Sequence, residues 1–134
     1  MRTTHDDLPA GLGNARFVGF VPVRDLGVAR TFYEGTLGLA VTTASPFAVV
    51  VDAGGTSLRL TEVPGLEPQP FTIAGWEVSD IAAVVDLLAS RGVAFRRYDG
   101  MEQDERGIWT TPGGDRVAWF GDTDGNTLSL TMFA

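Results

Sequence analysis

The sequence predicts an α+β domain in which one strand, helix and strands unit occurs twice. Three observations carry this reading. An apolar strand-like run leading into a capped amphipathic helix and then further strand-like runs appears in each half. Val23-Arg24-Asp25-Leu26 is matched by Val78-Ser79-Asp80-Ile81 fifty-five residues later. Between the copies, Pro64, Pro68 and Pro70 crowd a segment that cannot continue a regular element. A half of this size has a sheet covered on one side by one helix and leaves its other face bare, so the two halves are expected to associate.

In the first half, Phe17 to Val23 reads FVGFVPV, an apolar run suited to a buried strand, and Asp25 offers an N-cap. The helix that follows places Leu26, Ala29, Phe32, Tyr33 and Leu37 at roughly helical spacing and is expected to stop near Gly35 or Gly38. LAVTTA, FAVVVDA and TSLRLTEV then read as strands, the last two joined by a Gly54-Gly55 turn. In the second half, FTIAGWEV is a strand and Asp80 caps a helix with Ile81, Val84, Val85 and Leu88 on one face, closed at Arg91-Gly92. VAFRRY, GIWTTP, RVAWF and TLSLTMF complete the set of strand-like runs. The expected layout is a flexible arm over 1–16, module one over 17–63, a linker over 64–70 and module two over 71–134.

At 134 residues the chain fits one domain, and its 44% hydrophobic and 20% charged content is that of a globular protein. No apolar run approaches the ~20 residues of a bilayer span and the N-terminus lacks a secretory apolar core, so a cytoplasmic location is expected, with no membrane partner. The absence of cysteine excludes disulfides, thiolate catalysis and zinc-thiolate sites. A net charge of -7 opposes binding to nucleic acid; it either steers cationic partners or serves solubility alone.

Metal chemistry needs about three His, Cys or carboxylate ligands, and the one histidine, His5, falls in the expected arm. No cofactor is expected. Asp122-Thr123-Asp124-Gly125-Asn126 opens like a calcium loop, but Thr127 stands where that loop requires glycine and no glutamate closes it, so a turn is the preferred reading.

The run Val23-Arg24-Asp25-Leu26-Gly27-Val28-Ala29-Arg30-Thr31-Phe32-Tyr33-Glu34-Gly35-Thr36-Leu37-Gly38-Leu39 resembles the Asp-Leu, Phe-Tyr and Leu-Gly signature of vicinal-oxygen-chelate proteins, the glyoxalase, bleomycin-resistance and extradiol dioxygenase superfamily. Asp122-Thr123-Asp124-Gly125-Asn126 resembles that family's Asp-Pro-Asp-Gly-Asn turn, with Thr123 in place of proline. The resemblance implies two tandem βαβββ modules whose mixed sheet curls into a cup with helices outside. It also implies metal ligands at four positions, which here hold Val18, Arg59, Ile73 and Ser129. Three of these side chains cannot ligate a metal, and Ser129 offers only a weak hydroxyl, so a metal-free member is expected. A homodimer is expected too, since such open cups close against a partner.

If Val18 faces the cup, strand alternation brings Phe20 and Pro22 with it, along with Ser57, Arg59 and Thr61, then Ile73, Gly75 and Glu77, then Thr127, Ser129 and Thr131. A slip of one residue would bring Glu62 inward instead of Arg59. Apolar walls with one Arg and one Glu suit an organic ligand. Arg59 needs an anion, either a ligand acid or an internal partner in Glu77. Trp109, in an expected loop between Gly107 and Gly114, and with it Trp119 and Met101, serve either as a stacking surface or as core or dimer filler. Glu102 to Arg106 reads as a solvated loop or an acidic rim.

Three functions compete. The first is metal-independent binding of a small organic ligand, as in drug or metabolite sequestration. The second is a glyoxalase-like lyase or isomerase, or a dioxygenase-related enzyme, with a non-standard site; no His base or activated nucleophile supports it. The third is a regulatory module using the same cup.

Overall fold

A computed structural model describes residues 11–134. Most of the expected arm, with His5, lies outside the described residues, while residues 11–16 form turns at the surface. Strand β1 (Val18–Val23) leads into helix α1 (Leu26–Arg30), then β2 (Ala40–Ala44), β3 (Ala48–Asp52) and β4 (Ser57–Glu62). The second unit runs β5 (Thr72–Glu77), α2 (Ile81–Ser90), β6 (Trp109–Thr110), β7 (Arg116–Gly121) and β8 (Thr127–Met132). Each unit forms a four-stranded mixed sheet, ordered β1-β4-β3-β2 and β5-β8-β7-β6, so the tandem βαβββ architecture is present and neither sheet closes.

Both helices start where an aspartate stands ready to accept. The Asp25 carboxylate takes the Val28 N–H at 2.9 Å and that of Asp80 takes the Ala83 N–H at 3.1 Å, which satisfies donors that a first turn otherwise leaves orphaned. After Arg30 the first helix widens into a π-helical turn over Thr31–Thr36, with the Leu37 N–H reaching the Phe32 carbonyl at 2.9 Å. Consecutive Phe32 and Tyr33 are both buried there. Gly38, at φ 78°, ends the turn.

The strands alternate as their sequences require. Val21 and Val23 of β1, Leu58 and Leu60 of β4, and Val49 and Val51 of β3 are buried against the first helix. Ala118, Phe120, Leu128 and Leu130 do the same under α2, where Ile81, Val85 and Leu88 face them. These residues belong to one cluster running through both units, so the sheets share a single apolar core on their helix sides. The opposite sheet faces are left to solvent or to a ligand.

Two expected strands are corrected. VAFRRY contributes one isolated bridge, Phe95 to Phe120, and GIWTTP shrinks to the two residues of β6. The reason is local: side chains of Gln103 and Asp104 satisfy backbone groups of residues 96–108 that would otherwise have to enter a ladder.

The Asp122 to Asn126 segment is a turn, and it does more than reverse the chain. The buried Asp122 carboxylate accepts from the Tyr33 hydroxyl at 2.7 Å, from the Asn126 amide at 2.9 Å, and from the N–H groups of Asp124 and Asn126, both at 2.9 Å. Asn126 also donates to the Pro22 carbonyl at 2.8 Å. Arg24 donates its N–H to Asp124 at 3.0 Å and its guanidinium to the carbonyls of Asp124 and Leu66. The turn of the second unit is thereby fastened to the first strand and helix of the first.

Burial, and then the neighbouring Asp122 carboxylate, push the Tyr33 phenol well above its ordinary value near 10. A group whose pKa is raised on folding stabilises the fold fully below its unfolded value, and that contribution declines as pH rises past it. Tyr33→Phe is therefore expected to lower unfolding stability by roughly 1–3 kcal/mol at pH 7, with the difference from wild type shrinking above about pH 10. Urea unfolding at the two pH values tests this; equal midpoints at neutral pH would show that the hydroxyl does not hold the units together.

Candidate ligand-binding face

The sheet faces turned away from the helices carry the candidate site. On the first sheet, register places Val18 beside Ser57 and Asp52, Phe20 beside Arg59 and Val50, and Pro22 beside Thr61 and Ala48. Leu58 and Leu60 are buried on the other side of β4, so Arg59 lies on the open face, half-buried, and Glu62 is exposed at the strand end. Phe20 is 65% exposed and Val18 41%, unusual for apolar residues at the start of a sheet. The Thr61 hydroxyl is buried with no hydrogen-bond partner among the described residues.

On the second sheet, Gly75 stands beside Ser129 and Trp119, and Glu77 beside Thr131 and Val117, with Val117 paired to Trp109. The equivalent rows of the two sheets thus place their bulk differently: Phe20 and Arg59 fill the edge and second strand of the first, whereas Gly75 and Ser129 leave those places empty in the second and Trp119 rises from the third. Gly75 lies close against its neighbour: a Cβ on it would meet the Ser129 hydroxyl at 2.4 Å and the Ser129 carbonyl at 3.2 Å, so a larger residue fits only if that hydroxyl turns away and the strands give slightly.

Of the side chains singled out from sequence, Phe20, Ser57 and Ile73 meet at a cleft of about 360 Å³ on the seam between β1, β4 and β5, with Val18 and Arg59 next to them along the pleat. Trp109 and Ser129 lie apart on the second sheet. Ile73 departs from its expected parity: a register irregularity between Thr72 and Ala74 lets Ile73 and Ala74 both pack at the core margin. Glu77 is exposed and borders an adjoining, more polar depression of about 550 Å³ that shares Ala53, Gly75 and Trp76 with the cleft. The expected internal pair of Arg59 with Glu77 is corrected, because the two residues belong to different sheets and no ion pair joins them.

The chain's ten Lys and Arg side chains are all arginines, set against 17 acidic residues. Arg24, Arg30, Arg106 and Arg116 each meet a carboxylate. Arg106 holds the exposed Asp86 carboxyl below its ordinary range by hydrogen bonding, and in doing so clips the Glu102–Arg106 segment to α2. Arg59 has neither ion pair nor hydrogen bond among the described residues.

Sequence reasoning missed the surroundings of Trp119. Tyr98 packs edge-on to it at 5.5 Å, and Trp109 lies tilted at 6.1 Å. The Arg96 guanidinium lies over Gly121 and donates to the Thr127 hydroxyl and the Gly125 carbonyl. Tyr98 and Arg96 sit in a segment whose strand-like pattern concealed a loop.

A family model described as the Glyoxalase/Bleomycin resistance protein/Dioxygenase superfamily matches residues 15–130. The chain belongs to this superfamily. Among solved structures, it is similar at 29% identity and TM-score 0.68 to TnmS3, an antibiotic binding protein from Streptomyces sp. CB03234, covering 89% of this chain and 95% of that one. A superfamily member from Sphaerobacter thermophilus DSM 20745 matches at 25% identity and TM-score 0.68, over 87% and 95% of the two chains. The bleomycin resistance determinant encoded on transposon Tn5 shares the fold, with TM-score 0.70, 21% identity, and coverage of 88% and 97%. The chain matches no curated protein sequence.

At the four positions where the superfamily resemblance places metal ligands stand Val18 and Ile73, which are hydrocarbon, Arg59, which is a cation, and Ser129, whose hydroxyl alone could meet a metal. Among the described residues no three His, Cys, Asp or Glu side chains converge. No helix among them is long and apolar enough to cross a membrane.

The close fit of Gly75 against Ser129 gives a direct expectation. Gly75→Ala should destabilise the protein by roughly 1–3 kcal/mol through overpacking, and Ser129→Ala should recover part of that loss in the double mutant. Thermal unfolding of the four proteins in the cycle measures it; strict additivity would mean that the two residues do not meet.

Proposed function

We propose that this protein binds a small organic ligand on its open sheet faces without a metal, in the manner of drug or metabolite sequestration. The observation that carries the reading is the exchange of donor side chains for Val18, Arg59 and Ile73 at the positions where the superfamily resemblance places metal ligands, beside exposed aromatic surface at Phe20. Burying what remains exposed of Phe20 and Val18 against a ligand contributes at most about 1.5–3 kcal/mol each towards binding. The antibiotic-binding activity of the 29% identical neighbour points in the same direction.

The ligand residues on this reading are Val18, Phe20, Ser57, Arg59 and Ile73 on one side and Glu77, Trp109 and Ser129 on the other. Arg59 takes a carboxylate or similar acid of the ligand, because a half-buried guanidinium with no carboxylate partner among the described residues is stabilised by any anion that reaches it. The two open faces belong to separate sheets, and a homodimer that sets the first sheet of one copy against the second sheet of another encloses a ligand between them.

A thermal-shift screen of antibiotics and aromatic acids, run with and without divalent metal or chelator, tests the central reading. At least one organic compound should raise the melting temperature and metal should leave the shift unchanged. The same preparation should scatter light as a dimer; a ligand shift that vanishes with chelator would overturn metal-independent binding.

Arg59→Met keeps most of the apolar stem and removes the charge. It is expected to weaken an acidic ligand identified in that screen by about tenfold or more, corresponding to roughly 1.5–3 kcal/mol for a charge-assisted hydrogen bond, and to spare neutral ligands. Unchanged affinity for the acid by calorimetry would rule out Arg59 as its anchor.

A further inference from the structure

The segment between Phe95 and Trp109 leaves regular structure and carries Tyr98, one of three aromatic side chains that stand together on the open face of the second sheet with Trp109 of β6 and Trp119 of β7. Its conformation has an identifiable cause. The Gln103 amide nitrogen donates to the carbonyls of Arg96 and Gly107, both at 2.9 Å, and its oxygen accepts the Tyr98 N–H at 2.7 Å. The backbone of Gln103 forms a bridge with Trp109. One side chain therefore joins the entry of the loop, at Arg96 and Tyr98, to its exit, at Gly107 and Trp109.

Gly107 is buried at φ 85°, and a Cβ there would touch the Phe95 side chain at 3.4 Å. The Gln103 amide spends both N–H donors and its oxygen on backbone groups of Arg96, Tyr98 and Gly107, while the Asp104 carboxylate holds the later N–H groups of Arg106 and Ile108, so the bond to the Tyr98 backbone is the one that Gln103 alone supplies among these side chains. Trp119 belongs to β7 and Trp109 to β6, where it pairs with Val117, so the sheet holds both, whereas Tyr98 reaches Trp119 from the loop that Gln103 closes.

We propose that Gln103 is a positioning residue that sets Tyr98 against Trp119, beside the sheet-held Trp109, so that the three rings form a preorganised wall for a planar aromatic group of the ligand. The proposal rests on the reading that the open faces bind an organic ligand. Preorganisation matters because a wall already in place does not charge the ligand with the entropy of ordering a loop. Gln103 touches no ligand; it acts through the rings.

The test uses the full chain and 1-anilinonaphthalene-8-sulfonate, a planar aromatic anion, as the probe. Gln103→Ala and Gln103→Met should keep the far-ultraviolet circular dichroism of the wild type, lose tryptophan band intensity in the near ultraviolet, and bind the probe about tenfold more weakly, the worth of one lost ring contact. Gln103→Glu keeps the acceptor for the Tyr98 N–H and loses the two amide donations, so it should fall between them and the wild type. Near-ultraviolet spectra equal to the wild type in all three variants would overturn the positioning role. Loss of the far-ultraviolet spectrum in all three would also overturn it, by making Gln103 a residue of the global fold. Trp109→Ala and Trp119→Ala provide the separate arm: unchanged probe affinity in both would sink the ligand-face reading, while altered near-ultraviolet spectra in the Gln103 variants would leave the positioning role standing.

Discussion

Asp122 is a carboxylate taken out of water, and such a group is tolerable only when donors replace the solvent it has lost. Here four donors do so: the Tyr33 hydroxyl, the Asn126 amide and two backbone N–H groups of its own turn. Three of the four come from the second unit and one from the first, which makes the charge a rivet between them. Asn126 and Arg24 extend the join to the end of β1 and to the linker. Because the helix sides of both sheets face the shared core, this join sets the direction in which the open faces look.

That arrangement explains why two units of like topology offer unlike surfaces. In the first, large side chains rise from the edge strand and a cation from its neighbour. In the second, Gly75 and Ser129 pack backbone close to backbone, and the bulk comes from Trp119 on the third strand and from a loop folded over the sheet.

Much of the architecture was legible because it rests on short-range rules. Asp25 and Asp80 announce helix starts through the chemistry of capping, Gly54-Gly55 and Gly38 mark places where the chain turns at positive φ, and Leu58 and Leu60 around Arg59 display a period of two that a sheet cannot avoid. The superfamily followed from the same positions. Where sequence reasoning failed, a side-chain hydrogen bond or the placement of the sheets had overruled the pattern of alternation. VAFRRY alternates like a strand, yet Gln103, several residues away, captures the backbone groups that pairing would have used. Arg59 and Glu77 look like partners in a chain read as a string, but the sheets carry them apart.

The sequence by itself determined the repeat, the helix caps, the inward faces of most strands and the lack of metal donors at Val18, Arg59 and Ile73, since each depends on residue chemistry within a few positions. Only the tertiary structure decided that Asp122 would bind Tyr33 eighty-nine residues away, that Gly75 would lie against Ser129, and that Tyr98, Trp109 and Trp119 would stand as one cluster. Those pairings have no local signature because an unfolded chain gains nothing from them. They become favourable only after the apolar core has brought the two units together and excluded the water that would otherwise satisfy the same groups.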